Sequence, residues 1–232
     1  MAKMAILIDG GFYRARARNL FSFSRRDPGG NADIVEAYCR RHAEESEKEG
    51  RELYRIFYYD CPPISAVVTN PITNARIDLS KSPTFTAITQ FLRLVAGKRK
   101  VALRRGRLGS GYVRYALKPK TQDALLSGRK TLAELAENDV RLDIGQKGVD
   151  MRLGLDLVEI ALKRLVDQVV LVSGDSDFIP AIKMARREGV DVILDPMGNH
   201  VPEDLAEHVD GIRDFSSARD FLDSLPPVAP AP

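Results

Sequence analysis

Four aspartates stand where apolar runs end or where a helical pattern begins, so they could meet and share one chemical task. Asp9 follows an apolar run near the N-terminus, and Asp175 and Asp177 follow a second one. Asp150 opens a segment with helical spacing. Carboxylates brought together raise each other's pKa unless cations compensate them, and Mg²⁺ and Mn²⁺ prefer carboxylate and water oxygens. We therefore predict a Mg²⁺ or Mn²⁺ site formed by these four side chains.

Such a site could hydrolyse a phosphodiester without a protein nucleophile. Two metal ions about 3.5–4 Å apart would bind both the attacking water and the leaving oxygen. Ser173 lacks the Gly-x-Ser-x-Gly frame and the nearby histidine of a hydrolase triad. The three histidines match no zinc spacing, and the sequence has no Walker pattern. The predicted catalytic residues are the same four aspartates.

Each aspartate also has a structural explanation. Asp9 could cap the helix that follows it, and Asp175 or Asp177 could cap the helix after the second apolar run. Asp150 could simply occupy a helix N-terminus, where the dipole favours negative charge. Asp156 is a further candidate metal ligand, but it lies about 240° around a helix from Asp150. We therefore do not expect Asp150 and Asp156 to touch one ion directly.

Three other residues could support the metal site. Asp60 ends another predicted strand, although an aspartate before Cys61-Pro62-Pro63 could also just shape that loop. Ser173 could form a hydrogen bond to a ligand carboxylate, and Lys147 could contact a phosphate. We predict that these three side chains surround the metal ligands.

A basic strip, defined as residues 98–120, contains nine Lys and Arg residues and no acidic one. The net charge is +3, so the rest of the chain carries 3 − 9 = −6. An acidic cluster with a separate basic strip suits a polyanion held against bound metal, although the strip could also be a solvated hairpin. The predicted nucleic-acid contacts are Lys98, Arg99, Lys100, Arg104, Arg105, Arg107, Arg114 and Lys118, and Lys120 completes the strip.

The elements that position these residues alternate between strand and helix patterns. This alternation predicts a mainly parallel sheet with helices on both faces, and such sheets bind ligands at the carboxyl ends of their strands. Val101–Arg107 and Tyr112–Leu117 flank a glycine-rich segment and predict a β-hairpin. We expect one domain over residues 1–223, with a basic hairpin and helix insertion at about 64–146, and a disordered proline-rich tail at 224–232.

The composition, 44% apolar and 29% charged over 232 residues, is that of a globular protein. Cys39 and Cys61 suggest free thiols in a reducing compartment, and no apolar run approaches the ~18 residues of a membrane helix. The N-terminus runs directly into a strand pattern without a signal peptide. We therefore expect a cytoplasmic protein that does not enter a membrane.

Four segments together resemble the NYN domain, a branch of the PIN-like nucleases that includes LabA-like bacterial proteins. They occur in the family's order, and they extend the resemblance over roughly Ala2 to Phe215. At one position the sequence departs from the pattern, because Gly11 follows Asp9-Gly10 where many relatives soon have an Asn. The segments are Ile8-Asp9-Gly10-Gly11-Phe12, Tyr59-Asp60-Cys61-Pro62-Pro63, Lys147-Gly148-Val149-Asp150 with Asp156, and Ser173-Gly174-Asp175-Ser176-Asp177-Phe178.

The resemblance implies a Rossmann-like, three-layer α/β/α fold and a metal-dependent endoribonuclease. It places Asp9, Asp150, Asp175 and Asp177 on the family's acidic positions. It implies Mg²⁺ or Mn²⁺ as cofactor and single-stranded or structured RNA as partner, and it leaves a homodimer open. Two alternatives remain: a non-catalytic RNA-binding or regulatory module on the same fold, and a small-molecule phosphohydrolase.

Overall fold

The computed structural model describes residues 1–21, 27–107, 113–144 and 148–225. Six parallel strands form the central sheet in the order β10-β9-β8-β1-β2-β5, and two antiparallel pairs, β3-β4 and β6-β7, lie outside it. The strands of the described residues are β1 (Ala2–Asp9), β2 (Arg51–Asp60), β3 (Val67–Thr69), β4 (Arg76–Asp78), β5 (Val101–Arg105), β6 (Val113–Leu117), β7 (Val140–Ile144), β8 (Gln168–Val172), β9 (Asp191–Asp195) and β10 (Gly211–Ile212).

Helices cover both faces of this sheet. The first core includes residues of α1, α2, α3 and α8, and the second includes residues of α5, α6 and α7. The helices are α1 (Gly10–Leu20), α2 (Pro28–Lys48), α3 (Pro83–Ala96), α4 (Pro119–Leu126), α5 (Val149–Leu162), α6 (Ile179–Arg187), α7 (Glu203–Ala206) and α8 (Arg219–Ser224).

Strand β1 shows why the apolar run near the N-terminus is continuous. Its side chains alternate between the two faces, so Met4, Ile6 and Ile8 belong to the first core. Ala5 and Leu7 belong to the second core, and all five side chains are fully buried. A parallel strand covered on both faces needs apolar residues at every position. The predicted three-layer α/β/α fold with a mainly parallel sheet is confirmed.

The predicted hairpin in the basic strip is wrong. β5 pairs in parallel with β2, from Ile56 opposite Val101 to Asp60 opposite Arg105, and forms one edge of the central sheet. β6 pairs instead with β7, in antiparallel register. The reason is burial, because Val101 and Leu103 pack against the first core when β5 extends the sheet. Residues 108–112, where the turn of this hairpin was predicted, lie outside the described residues.

The domain boundaries stay a prediction. Helix α3 and strand β5 lie within the range 64–146 that was predicted as an insertion, and both pack with the main sheet. α8 ends at Ser224, and residues 226–232 of the predicted tail lie outside the described residues. Within the described part of the chain, no helix is both long enough and apolar enough to cross a membrane.

Candidate active site

Asp9 ends β1 and caps α1. Its Oδ1 atom accepts a hydrogen bond of 3.1 Å from the Phe12 N–H. The next residue, Gly10, is buried against β2, where an added Cβ would lie 2.6 Å from the Tyr59 carbonyl oxygen and 2.9 Å from Asp60 Oδ2. Glycine is therefore required here by close approach. This contact fixes Asp9 beside the end of β2.

The pKa of the Asp9 carboxyl rises from 3.8 to about 6. Burial is the main cause, and the negative charges of Asp150 and Asp60 raise the pKa further, whereas the hydrogen bond from Phe12 lowers it. A carboxylate that is buried beside other carboxylates favours a nearby cation. The electrostatics of Asp9 are therefore those expected of a metal ligand.

We predict that, in the absence of divalent cations, Asp9→Asn raises the Tm most above about pH 6. Folding raises the pKa of Asp9, so the folded state binds more protons than the unfolded chain between pH 3.8 and about 6. The destabilising effect of the Asp9 carboxylate on the folded state is therefore largest above about pH 6. It decreases as the pH falls and disappears near pH 3.8, where the carboxyl is protonated in the folded state. Thermal unfolding of both proteins in EDTA measures the difference; a Tm difference independent of pH would contradict the prediction.

Asp150 lies in the first turn of α5, after Gly148 with φ of 79°. This left-handed backbone favours glycine and starts the helix. The pKa of Asp150 is raised by partial burial and then by the charges of Asp175 and Asp177. Asp150 also raises the pKa of Asp9, so Asp150 is the member of the cluster that lies within electrostatic reach of both Asp9 and the Asp175–Asp177 turn.

Asp175 and Asp177 follow β8 in a short 3-10 turn, Ser176–Phe178. Asp175 Oδ1 caps this turn by accepting a 2.9 Å hydrogen bond from the Asp177 N–H. Ser173 is buried, and its Oγ accepts a 3.2 Å hydrogen bond from the Asp175 N–H. Ser173 therefore holds the backbone of this turn, which positions both exposed carboxylates.

The four carboxylates share one region without forming a closed coordination shell. Within the described residues, no three His, Cys, Asp or Glu side chains are placed so that they could already hold a metal ion. Mg²⁺ usually keeps several waters and takes one or two carboxylates plus substrate phosphates. An open set of acidic side chains at the carboxyl ends of parallel strands fits that requirement.

Asp60 forms a buried ion pair with Arg14. Arg14 Nε and Nη2 donate to the two carboxylate oxygens over 2.7 and 2.8 Å, and the Cys61 N–H donates to Oδ1 over 2.7 Å. Arg14 was missed in the sequence. The spacing of Arg14 from Gly10 could have identified it. Arg14 lies one helical turn after Gly10, on the face of α1 that contacts the end of β2.

Asp156 has different partners from the four clustered aspartates. It accepts hydrogen bonds of 2.9 Å from the Tyr59 hydroxyl and from Arg104 Nε. The Arg104 guanidinium also lies over the Phe57 ring, 5.3 Å from its centroid. These contacts assign Asp156 to the packing of α5 against β2 and β5, and its role as a metal ligand stays a prediction.

The basic strip is divided between the two ends of β5. Lys98 forms ion pairs with Asp33 and Glu36, and Lys100 forms one with Glu52. These lysines precede β5 and therefore lie at the amino ends of the parallel strands, whereas the aspartates lie at the carboxyl ends. The structure therefore separates Lys98, Arg99 and Lys100 from the acidic cluster.

The carboxyl end of β5 brings other basic residues beside the site. The Gly106 N–H donates a 2.9 Å hydrogen bond to the Asp60 carbonyl, so exposed Arg105 and Arg107 flank the end of β2. Farther along, Arg114 pairs with Asp143 on the neighbouring strand. No ion pair within the described ranges involves Arg99, Arg105, Arg107, Lys118 or Lys120. Lys147 lies outside the described residues.

Comparisons with known proteins place the chain in a family. An uncharacterized protein of Sinorhizobium fredii, y4oD, is 39% identical to it over 64 residues, which cover 25% of this chain and 30% of the relative. The chain thus aligns with less than a third of that relative. The family model for the NYN domain matches residues 84–215, a range that includes Asp150, Asp175 and Asp177. Because this match spans more than half of the 232 residues, the chain belongs to the NYN domain family, whose members are typically PIN-like nucleases.

Proposed function

We propose that the protein is a metal-dependent endoribonuclease that hydrolyses RNA phosphodiester bonds. The observation that supports the proposal is the convergence of four aspartates from three separate elements, namely the end of β1, the first turn of α5 and the turn after β8, at the carboxyl ends of the parallel strands. Structural caps would not require this grouping, because a capping carboxylate is satisfied by its own helix. The narrower LabA-like assignment, the homodimer and the cytoplasmic location stay predictions.

In this proposal the four aspartates hold Mg²⁺ or Mn²⁺. A bound ion would supply Lewis-acid activation of water and stabilise the charge that develops on the phosphate. Asp9 is the most buried of the four and would provide a fixed oxygen from the end of β1. Asp150, Asp175 and Asp177 are exposed and would complete the ligand set from α5 and the turn after β8.

The residues around the aspartates would position the RNA. Arg105 and Arg107 are exposed beside Asp60 and could contact phosphates on either side of the scissile bond. The Arg14–Asp60 pair holds the end of β2 against Gly10, which keeps Asp9 in place. Ser173 supports Asp175 through its backbone. These residues act by binding and positioning, since hydrolysis needs no protein nucleophile.

A non-catalytic RNA-binding module is the second candidate. It is favoured by the separation of the carboxylates, because no three acidic side chains among the described residues lie close enough to hold an ion as placed. The basic residues beside the site would then bind the RNA backbone without cleavage. The same fold would serve a regulatory function.

Incubation of the full chain with end-labelled single-stranded and stem-loop RNA separates these functions. We expect internal cleavage with Mg²⁺ or Mn²⁺ and none in EDTA. A shift in electrophoretic mobility without cleavage, with both metals and several RNAs, would select the RNA-binding module. Hydrolysis of nucleoside phosphates without cleavage of RNA would select a small-molecule phosphohydrolase, and cleavage unaffected by EDTA would reject the role of the metal.

A further inference from the structure

A pocket of about 380 Å³ lies on the Asp60 side of the acidic cluster. Its volume is within the range of roughly 300–1,000 Å³ that is typical of small-ligand sites. The walls come from α3, from the segment after β2 and from β7, and Arg14 forms part of the boundary. We call this cavity, lined by Arg14, Pro62, Phe85, Ile88, Leu142 and Ile144 among others, the base pocket.

The walls of the base pocket are mainly apolar and come from two regular elements. Phe85 and Ile88 lie three residues apart on α3 and therefore share one helix face. Leu142 and Ile144 are two residues apart on β7 and share one face of that strand. The Phe85 side chain is only half-buried, so its ring borders the cavity. An aromatic ring and aliphatic side chains that line one cavity suit a flat, apolar-faced ligand.

The base pocket is next to the proposed reaction centre. Arg14 lines the cavity and holds Asp60 by two hydrogen bonds. Asp60 Oδ2 would lie 2.9 Å from a Cβ at Gly10, which directly follows Asp9. The pocket and the acidic cluster are therefore separated by little more than one buried ion pair.

Positive charge flanks the same region. Gly106 is hydrogen-bonded to the carbonyl oxygen of Asp60, and exposed Arg105 and Arg107 lie on either side of it. A nucleotide carries a flat base and an anionic phosphate, so it needs an apolar surface beside a cationic one. The base pocket with these two arginines supplies both.

We infer that the base pocket binds one unpaired nucleobase of the RNA adjacent to the scissile phosphate, with the base stacked on Phe85. The inference rests on the proposed function and adds a substrate class to it. Bases inside a duplex remain stacked on their neighbours, whereas unpaired bases can rotate out and stack on protein side chains. The substrate is accordingly a single strand or a loop that is unpaired at the cleavage site.

Substitutions of Phe85 test the stacking contact through binding alone. Anisotropy of fluorescent single-stranded RNA is measured with the full chain in EDTA at one fixed salt concentration. We expect Phe85→Leu to weaken binding by about 5- to 150-fold, as for the loss of one base–aromatic stack. Phe85→Tyr keeps the ring and should bind like the unaltered protein. An unchanged affinity in Phe85→Leu would overturn the inference.

A matched control removes an aromatic ring elsewhere. Tyr54 is half-buried near the amino end of β2, whereas Asp60 lies at the carboxyl end of the same strand. Tyr54→Leu should leave RNA affinity unchanged, and an equal loss in Tyr54→Leu and Phe85→Leu would contradict a local pocket. The Tm of each variant is measured in parallel to check that the variant folds. We expect Phe85→Leu to fold, because leucine keeps the apolar packing of the half-buried side chain.

Photocrosslinking locates the bound base. Single-stranded RNA with 5-iodouridine at successive positions is irradiated with the protein in EDTA, and the cross-linked peptide is identified by mass spectrometry. We expect a cross-link to Phe85, and its loss when the RNA is annealed to its complement. Cross-links only outside the base pocket, or equal cross-linking of duplex RNA, would overturn the inference.

The outcome separates the base pocket from the nuclease proposal. Metal-dependent cleavage without any effect of Phe85 would reject the base pocket and keep the nuclease. Cross-linking to Phe85 with no cleavage in Mg²⁺ or Mn²⁺ would support the base pocket and reject the nuclease.

Discussion

Asp175→Asn and Asp9→Asn are each expected to reduce metal-dependent RNA cleavage by at least about 100-fold without unfolding the protein. Loss of a group that only supports a metal ligand typically costs 10–100-fold in affinity or activity, and loss of a ligand should cost at least as much. Asparagine keeps an oxygen that accepts the Asp177 N–H in one variant and the Phe12 N–H in the other. The substitutions therefore remove charge while they preserve the caps.

Single-turnover cleavage with Mg²⁺ and with Mn²⁺ measures the effect, and thermal unfolding checks the fold. Asp167→Asn is the matched control, because Asp167 precedes β8 whereas Asp175 follows it. Asp167 is exposed and accepts a hydrogen bond of 2.7 Å from the Lys3 N–H, which asparagine can also accept. We expect full activity in this control. Full activity in Asp9→Asn and Asp175→Asn, with metal still bound, would rule out the proposed metal site.

Arg14→Met is expected to lower the free energy of unfolding by about 3–5 kcal/mol, the typical effect of removing one partner from a buried ion pair. The Asp60 side chain is completely buried, and that of Arg14 is 11% exposed. Burial raises the pKa of Asp60, and Arg14 opposes this shift. Without the guanidinium, the carboxylate would remain in the interior with the Cys61 N–H as its remaining hydrogen-bond donor among the described contacts.

A double-mutant cycle in urea measures this coupling. Asp60→Asn removes the charge, so the Arg14→Met/Asp60→Asn double variant should be more stable than the sum of the single effects predicts. Lys163→Met is the control, because it breaks an exposed ion pair with Glu159 and should change stability by no more than about 1 kcal/mol. A loss in Arg14→Met as small as that in Lys163→Met would show that the buried pair contributes little.

The sequence was sufficient for the features that depend on local pattern. Helix α3, for example, has its boundaries in its own sequence, because Ser82 caps its first turn, Pro83 begins it and Gly97 follows it. The continuous apolar runs identified β1 and β8, since a strand covered on both faces has no polar positions. Their ends then placed Asp9 and Asp175 at one edge of the sheet. The family match confirmed the resemblance to the NYN domain over residues 84–215, a range that includes the segments of Asp150 and Asp175 but not that of Asp9.

The features that depend on distant pairing could not be predicted from local pattern. The hairpin prediction failed because β5 pairs with β2, and nothing within residues 98–120 indicates that partner. Arg14 and Asp60 are 46 residues apart, so the spacing of Arg14 from Gly10 indicated its helix face but could not identify Asp60 as its partner. The nine charges of the basic strip appeared equivalent in the sequence. The fold distinguishes them, because Lys98 meets acidic residues of α2 and Arg105 lies beside Asp60.

The pairing of β1 with β8 also determines when the site can form during folding. These neighbouring strands are joined by contacts between residues as far apart as Lys3 and Asp167, which are separated by 164 positions. Closing such a long loop costs chain entropy before any contact compensates it, so nonlocal parallel pairing is slow. Asp9 meets Asp150 and Asp175 only after this closure. If the proposed function holds, a chain that has not yet paired these two strands would therefore neither bind metal at this site nor cleave RNA, whatever helices it has already formed.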